Sequence, residues 1–95
     1  MNKYETLYIL KTEIGEEAIK AMIEKIANII TTNGGTIEST DEWGKKKLAY
    51  PIEDLNEGYY VLLNYSAGPE LPKELVRNFE IFDDVLRHLV IRKDA

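Results

Sequence analysis

Few side chains in this sequence could carry covalent or acid–base chemistry. There is no cysteine and one histidine, His88. The first absence removes disulfides, thiolate nucleophiles and cysteine-rich zinc sites. A single histidine leaves histidine-based metal sites and Ser-His triads short of parts. Two acid pairs stand out, Glu16-Glu17 and Asp83-Asp84. The first opens a helical pattern, where carboxylates favour the positive end of the helix dipole, and the second falls in a turn. Neither has the setting of an acid/base pair. A phosphate-handling enzyme would need an anion cradle after its first strand, but there the chain reads Lys11-Thr12-Glu13-Ile14-Gly15, with one glycine and an acid. His88 follows Arg87 with no candidate base or nucleophile close in sequence. The expectation is a binding protein and not an enzyme, with no cofactor, no metal and no small-molecule substrate.

Binding chemistry is better represented. Three of the twelve Lys and Arg residues stand together as Lys45-Lys46-Lys47, and Arg87, Arg92 and Lys93 lie near the end of the chain. The net charge is nonetheless −5 and the pI about 4.9, which argues against nonspecific nucleic-acid binding by the chain alone. An acidic protein with two basic spots points to a partner that meets only part of its surface. The densest stretch runs from Asp41 to Ile52 and joins an aromatic, Trp43, a bend at Gly44, three cations and an apolar end. On the plain reading the lysines solvate a strand edge against aggregation and Trp43 fills the core. On the functional reading the lysines meet phosphate or a partner protein.

The elements that must position these residues can be read from periodicity. Residues 3–11 are rich in β-formers. Tyr4, Thr6, Tyr8 and Leu10 share one face and Leu7 and Ile9 the other, so the strand is expected to be central. Residues 16–33 place Ile19, Met22, Ile23, Ile26 and Ile30 at helical spacing, and Asn33-Gly34-Gly35 is a strong stop. Residues 36–52 read as extended, with a bulge or bend at Gly44 and Pro51 marking an edge strand or a strand end. Residues 54–58 form a turn, and residues 59–65 are the returning strand of a hairpin. Residues 69–82 read as a second helix with Leu71, Leu75, Phe79 and Phe82 on one stripe, its prolines tolerated near the first turn. Residues 85–91 form the last strand.

The order β-α-β-β-α-β is the split β-α-β, or ferredoxin-like, arrangement of the α+β class. It predicts a four-stranded antiparallel sheet in the order 4-1-3-2, with two helices on one face and the other face open. Leu7 and Ile9 would then place apolar surface on the open face, which is a reason to expect a partner there. Residues 1–95 are expected to make one domain. No apolar run approaches the roughly 18 residues of a membrane span. The opening Met1-Asn2-Lys3-Tyr4-Glu5 leads straight into a strand pattern, so no targeting segment, no membrane and a cytoplasmic location are expected.

The stretch Trp43-Gly44-Lys45-Lys46-Lys47-Leu48-Ala49-Tyr50-Pro51-Ile52 resembles the hallmark of the bacterial small-subunit ribosomal protein six family. Tyr4-Glu5, Gly58-Tyr59-Tyr60 and Asp84-Val85-Leu86-Arg87-His88 fall in register with the same family, so the resemblance covers nearly the whole chain. It implies a ferredoxin-like structural protein of the ribosome. It also implies binding to the central domain of small-subunit ribosomal RNA together with ribosomal protein eighteen. The candidate RNA-binding residues are Lys3, Tyr4, Arg87, Arg92 and Lys93. The candidate partner-protein or RNA contacts are Trp43, Lys45, Lys46, Lys47, Tyr50, Leu7 and Ile9. Asn2 departs from the basic residue often found at the second position of the family. The sequence ends at Ala95, short of the tail of many members, so few tail contacts are expected.

Two other readings compete. Gly58-Tyr59-Tyr60-Val61 and Leu7-Tyr8-Ile9 are loosely similar to the signature of RNA-recognition motifs, which would make the chain a free-standing single-stranded RNA binder. The signature is broken by Glu57, where a basic residue belongs, and by the missing small residue between the aromatics. A ligand-sensing or self-associating ferredoxin-like domain would also suit an apolar open face.

Overall fold

A computed structural model describes residues 1–52 and 55–93. Along the chain it runs β1 (Asn2–Leu10), a short 3-10 turn (Thr12–Ile14), α1 (Glu16–Thr32), β2 (Thr36–Ile52), β3 (Leu55–Ala67), α2 (Leu71–Ile81) and β4 (Val85–Arg92). The strands form one sheet in the order β2-β3-β1-β4, and every pairing is antiparallel. This is the expected ferredoxin-like order, with β1 and β3 central.

Alternation along the central strands decides which face the helices cover. Tyr4, Thr6, Tyr8 and Leu10 of β1 are buried together with Val61, Leu63, Tyr65 and Ala67 of β3. Ile19, Ile23, Ile26 and Ile30 of α1 and Leu71, Leu75 and Phe79 of α2 close over them. Fully burying a side chain such as Ile26 contributes about 1.5–3 kcal/mol, so this one cluster supplies most of the driving force. Thr6, buried beside that core, is satisfied by the Tyr65 hydroxyl at 2.8 Å.

The helix ends follow their local chemistry. α1 carries Glu16 and Glu17 in its first turn and ends where Gly34 turns to φ +87° and the Gly35 amide donates to the Ile30 carbonyl at 2.8 Å. α2 starts at Leu71, later than the expected residue 69, with Pro72 inside its first turn.

The hairpin departs from expectation. Leu55, Asn56, Glu57 and Gly58, read from composition as turn residues, belong to β3, and Gly58 and Glu57 pair with Lys46 and Lys47. Asp54, the first residue of that expected turn, lies outside the described residues. The reason is cross-strand pairing: a long partner strand extends the ladder through residues whose own propensities are poor. β2 keeps its pairing by shifting register three times, between Ile37 and Ser39, between Glu42 and Gly44, and between Lys47 and Ile52. The middle shift is the expected bulge, and Gly44 adopts φ +83° there, a conformation that suits glycine because it has no Cβ.

Candidate functional site

The face of the sheet away from the helices carries most of the candidate residues. Cross-strand register places Leu7 between Leu62 and Leu89, Ile9 between Tyr60 and Arg87, and Glu5 between Asn64 and Ile91. Leu89 and Ile91 are 55% and 44% exposed, so an apolar strip runs along β4 and across to Leu7. Leu7, Ile9, Arg87, His88 and Leu89 line a cavity of about 260 Å³. Sequence reasoning named Leu7 here but missed Leu62, Leu89 and Ile91. The alternation Arg87, Leu89, Ile91, taken with β1 as the neighbouring strand, could have found the last two.

The candidate RNA-binding residues fall into two groups. Lys3, Arg92 and Lys93 gather at one end of the sheet. There Lys93 donates to Asn64 Oδ1 at 2.8 Å and its amide to the Lys3 carbonyl at 2.8 Å. Arg92 donates to Asn2 Oδ1 at 3.1 Å, and the Lys3 ammonium lies 3.9 Å from Glu38. Arg87 sits far from them along β4, separated by roughly 20 Å of strand at about 3.3 Å per residue. Its guanidinium donates to the Tyr50 hydroxyl at 2.9 Å and lies 5.5 Å from the centroid of that ring.

Tyr4 requires a correction. It is 6% exposed, on the helix-covered face with its ring stacked on Tyr65 at 5.7 Å, and its hydroxyl accepts from Asn2 Nδ2 at 3.2 Å. Its alternation with Thr6 and Tyr8 makes it a core residue rather than a surface for RNA. Ile9 requires another. It does point to the open face but is only 7% exposed, because Leu48 and Tyr50 of β2 reach over it and line with it a small cavity of about 70 Å³. Gly58 lies directly against Ile9, where an added Cβ would overlap Ile9 Cγ2.

The bulged part of β2 forms a third cluster. Trp43 is 41% exposed, so it is not a core filler. Its ring stacks on Tyr60 with 6.2 Å between centroids and 14° between planes. Its indole N–H donates to Asp41 Oδ2 at 3.0 Å, and the Lys46 ammonium stands 5.1 Å from its centroid. Lys45, Lys46 and Lys47 are all exposed, with Lys45 3.9 Å from Glu57. Tyr50 is 59% exposed.

Of the residues weighed for catalysis, His88 lies in β4 between Arg87 and Leu89 and contributes to the lining of the open-face cavity. His88 stacks on Phe79 at 5.1 Å. Tyr59 donates to Glu42 at 2.9 Å, and that bond raises its pKa. Among the described residues no group of three His, Asp or Glu is placed to hold a metal ion, and no helix is long and apolar enough to cross a membrane.

Comparison with known proteins gives these clusters a context. Residues 3–92 match the family described as ribosomal protein S6. A small ribosomal subunit protein bS6 from Clostridium novyi is 53% identical over 94 residues, covering 99% of both chains. A protein of the same name from Clostridium beijerinckii is 50% identical over 95 residues, all of both chains. Among solved structures, the 30S ribosomal protein S6 of Thermotoga maritima superposes with a TM-score of 0.94 at 24% identity, covering 98% of this chain and 88% of that one.

Proposed function

This chain belongs to the ribosomal protein S6 family, and on that premise we propose that it binds small-subunit ribosomal RNA in company with a second, basic protein. It is a bacterial small-subunit ribosomal protein and not an enzyme. On this reading residues 1–95 act as one ferredoxin-like domain in the cytoplasm, within the ribosome. The RNA partner is the central domain of the small-subunit RNA, and the protein partner is ribosomal protein eighteen, as the family resemblance implies.

The observation that carries the reading is the near 50% identity with small-subunit proteins along the whole chain. The open face supports the protein partner. Leu7, Leu89 and Ile91 form a strip that water solvates poorly, and such strips mark protein contacts. The net charge of −5 suits a basic protein, which would supply most of the phosphate contacts beside the few that this chain's basic spots offer. Lys3, Arg92 and Lys93 at one end of the sheet and Arg87 at the other are its own candidates for RNA.

A free-standing binder of the RNA-recognition-motif type is less well supported. That module stacks bases on aromatics of its two central strands, whereas Leu7 and Ile9 of β1 and Leu62 of β3 occupy the middle of this face and the central-strand aromatic beside them, Tyr60, is stacked against Trp43. The deciding experiment measures RNA affinity at fixed salt with and without the basic partner. Weak binding alone and tight binding by the pair are expected; submicromolar affinity of the single chain at physiological salt would refute the proposal.

A further inference from the structure

We propose that Trp43 is a stacking platform for an unpaired nucleotide of the RNA, with Lys46 on the same face holding the adjoining phosphate and Lys45 and Lys47, on the other face of the edge strand, adding positive charge along the edge. The inference rests on the RNA-binding function proposed above and assigns this cluster to RNA rather than to the protein partner.

The geometry prepares the indole for a planar ligand. Trp43 is 41% exposed yet held on two sides, by the nearly parallel Tyr60 ring and by the hydrogen bond from its N–H to Asp41. A fixed aromatic surface costs little further entropy to stack on, and every base offers a π-face. The bulge at Gly44, with φ +83°, separates the tryptophan from the three lysines and keeps both on one short stretch of edge strand. Lys46 stands over the indole as a cation–π contact, 5.1 Å from its centroid; a stacking base displaces this exposed ammonium, which then stays within reach of the phosphate attached to that base.

Charge chooses between the two classes of occupant. Three consecutive exposed lysines repel a basic protein and attract a phosphodiester. The apolar strip of Leu7, Leu89 and Ile91 has the opposite character and is left for the protein. The bulged edge thus joins the RNA side, while the strip of Leu7, Leu89 and Ile91 stays with the protein.

Trp43 is the only tryptophan in the chain, so its emission reports the contact directly. The experiment adds first the basic partner and then a central-domain RNA fragment to the full chain, with the Trp43→Phe pair as the fluorescence blank and RNA binding followed independently. The inference expects little change on adding the protein and strong quenching on adding RNA. It also expects Trp43→Leu to weaken RNA binding by the pair about 5- to 150-fold, the scale of removing one base–aromatic stack, and Trp43→Phe to retain most of the affinity. A shift on protein addition with none on RNA addition overturns the inference and makes Trp43 a protein contact. RNA that binds without quenching overturns it while sparing the proposed function. A pair that fails to bind RNA overturns both.

Discussion

Arg87 Nη1 donates a hydrogen bond to the Tyr50 hydroxyl over 2.9 Å, although the two residues lie on strands at opposite edges of the sheet. The contact bridges the open face above Ile9. It gives Arg87 a neutral, exposed partner rather than a carboxylate from the neighbouring Asp83, Asp84 or Glu5. A guanidinium held by one neutral hydroxyl can still present its remaining donors to a phosphate.

Arg87→Lys therefore separates structure from function. The Arg87–Tyr50 bond is exposed, and a lysine ammonium can also donate to the hydroxyl, so the urea midpoint is expected to move little. The affinity of the protein pair for RNA is expected to fall about tenfold, the scale of one charge-assisted hydrogen bond. Denaturation and RNA titration of the same mutant check both halves. A lowered midpoint with unaltered affinity would remove Arg87 from the RNA site.

How far such sites are legible in the sequence depends on whether the signal is local. The helix stripe of Ile19, Ile23, Ile26 and Ile30 and the alternation of Tyr4, Thr6, Tyr8 and Leu10 are periodic patterns, and both are readable with the strand order they imply. The same alternation places Tyr4 inside, against the expectation of an RNA contact there. The covering of Ile9 is not readable, because it depends on Tyr50 and Leu48 arriving from the other edge of the sheet. Nor is the ladder through Glu57 and Gly58, since composition reports the preference of a residue and not the reach of its partner strand. For Trp43 the sequence offers core and surface alike; only the stacking on Tyr60 shows a ring half exposed.

The triple change Lys45→Ala, Lys46→Ala, Lys47→Ala is expected to impair assembly more than folding. Among the described residues the group makes one ion pair, Lys45 with Glu57 at 3.9 Å, with side chains 63% and 48% exposed, and such pairs contribute about 0–1 kcal/mol. If the lysines meet phosphates, the slope of log affinity against log salt falls by about 0.7 to 0.9 for each phosphate no longer neutralised. A large drop in melting temperature with assembly and salt slope unchanged would make the lysines structural.

Gly44→Val is expected to damage the edge strand. Gly44 has φ +83° with no heavy atom within 4 Å of an added Cβ, so the penalty is conformational and not steric crowding by neighbours. A β-branched residue in that region costs on the order of 1–3 kcal/mol. Chemical denaturation measures the loss, and amide exchange is expected to locate it near the bulge between Glu42 and Gly44. Unchanged stability would mean that the strand can straighten at this position.

Tyr8 tests the core itself. It is fully buried, its ring lies 5.5 Å from Phe79, and its hydroxyl has no hydrogen-bond partner among the described residues. An unsatisfied buried hydroxyl costs about 1–3 kcal/mol, so Tyr8→Phe is expected to be neutral or stabilising near neutral pH, unlike most core substitutions. Burial, and then the charge of Glu42, raise the Tyr8 pKa above its usual value near 10. Burial raises that of Tyr65 as well, partly offset by the bond to Thr6. A raised pKa in the fold means that the folded chain holds the proton more tightly than the unfolded one. The corresponding stability is present below the unfolded value of about pH 10 and is lost as pH climbs toward the folded value. Wild type is therefore expected to weaken above about pH 10 by up to roughly 1.4 kcal/mol per pH unit for Tyr8 alone, while Tyr8→Phe lacks that share of the slope. Urea midpoints of the two proteins across this range should diverge as pH rises. Parallel curves would show that the Tyr8 hydroxyl is solvated in the folded state and that its burial is not maintained in solution.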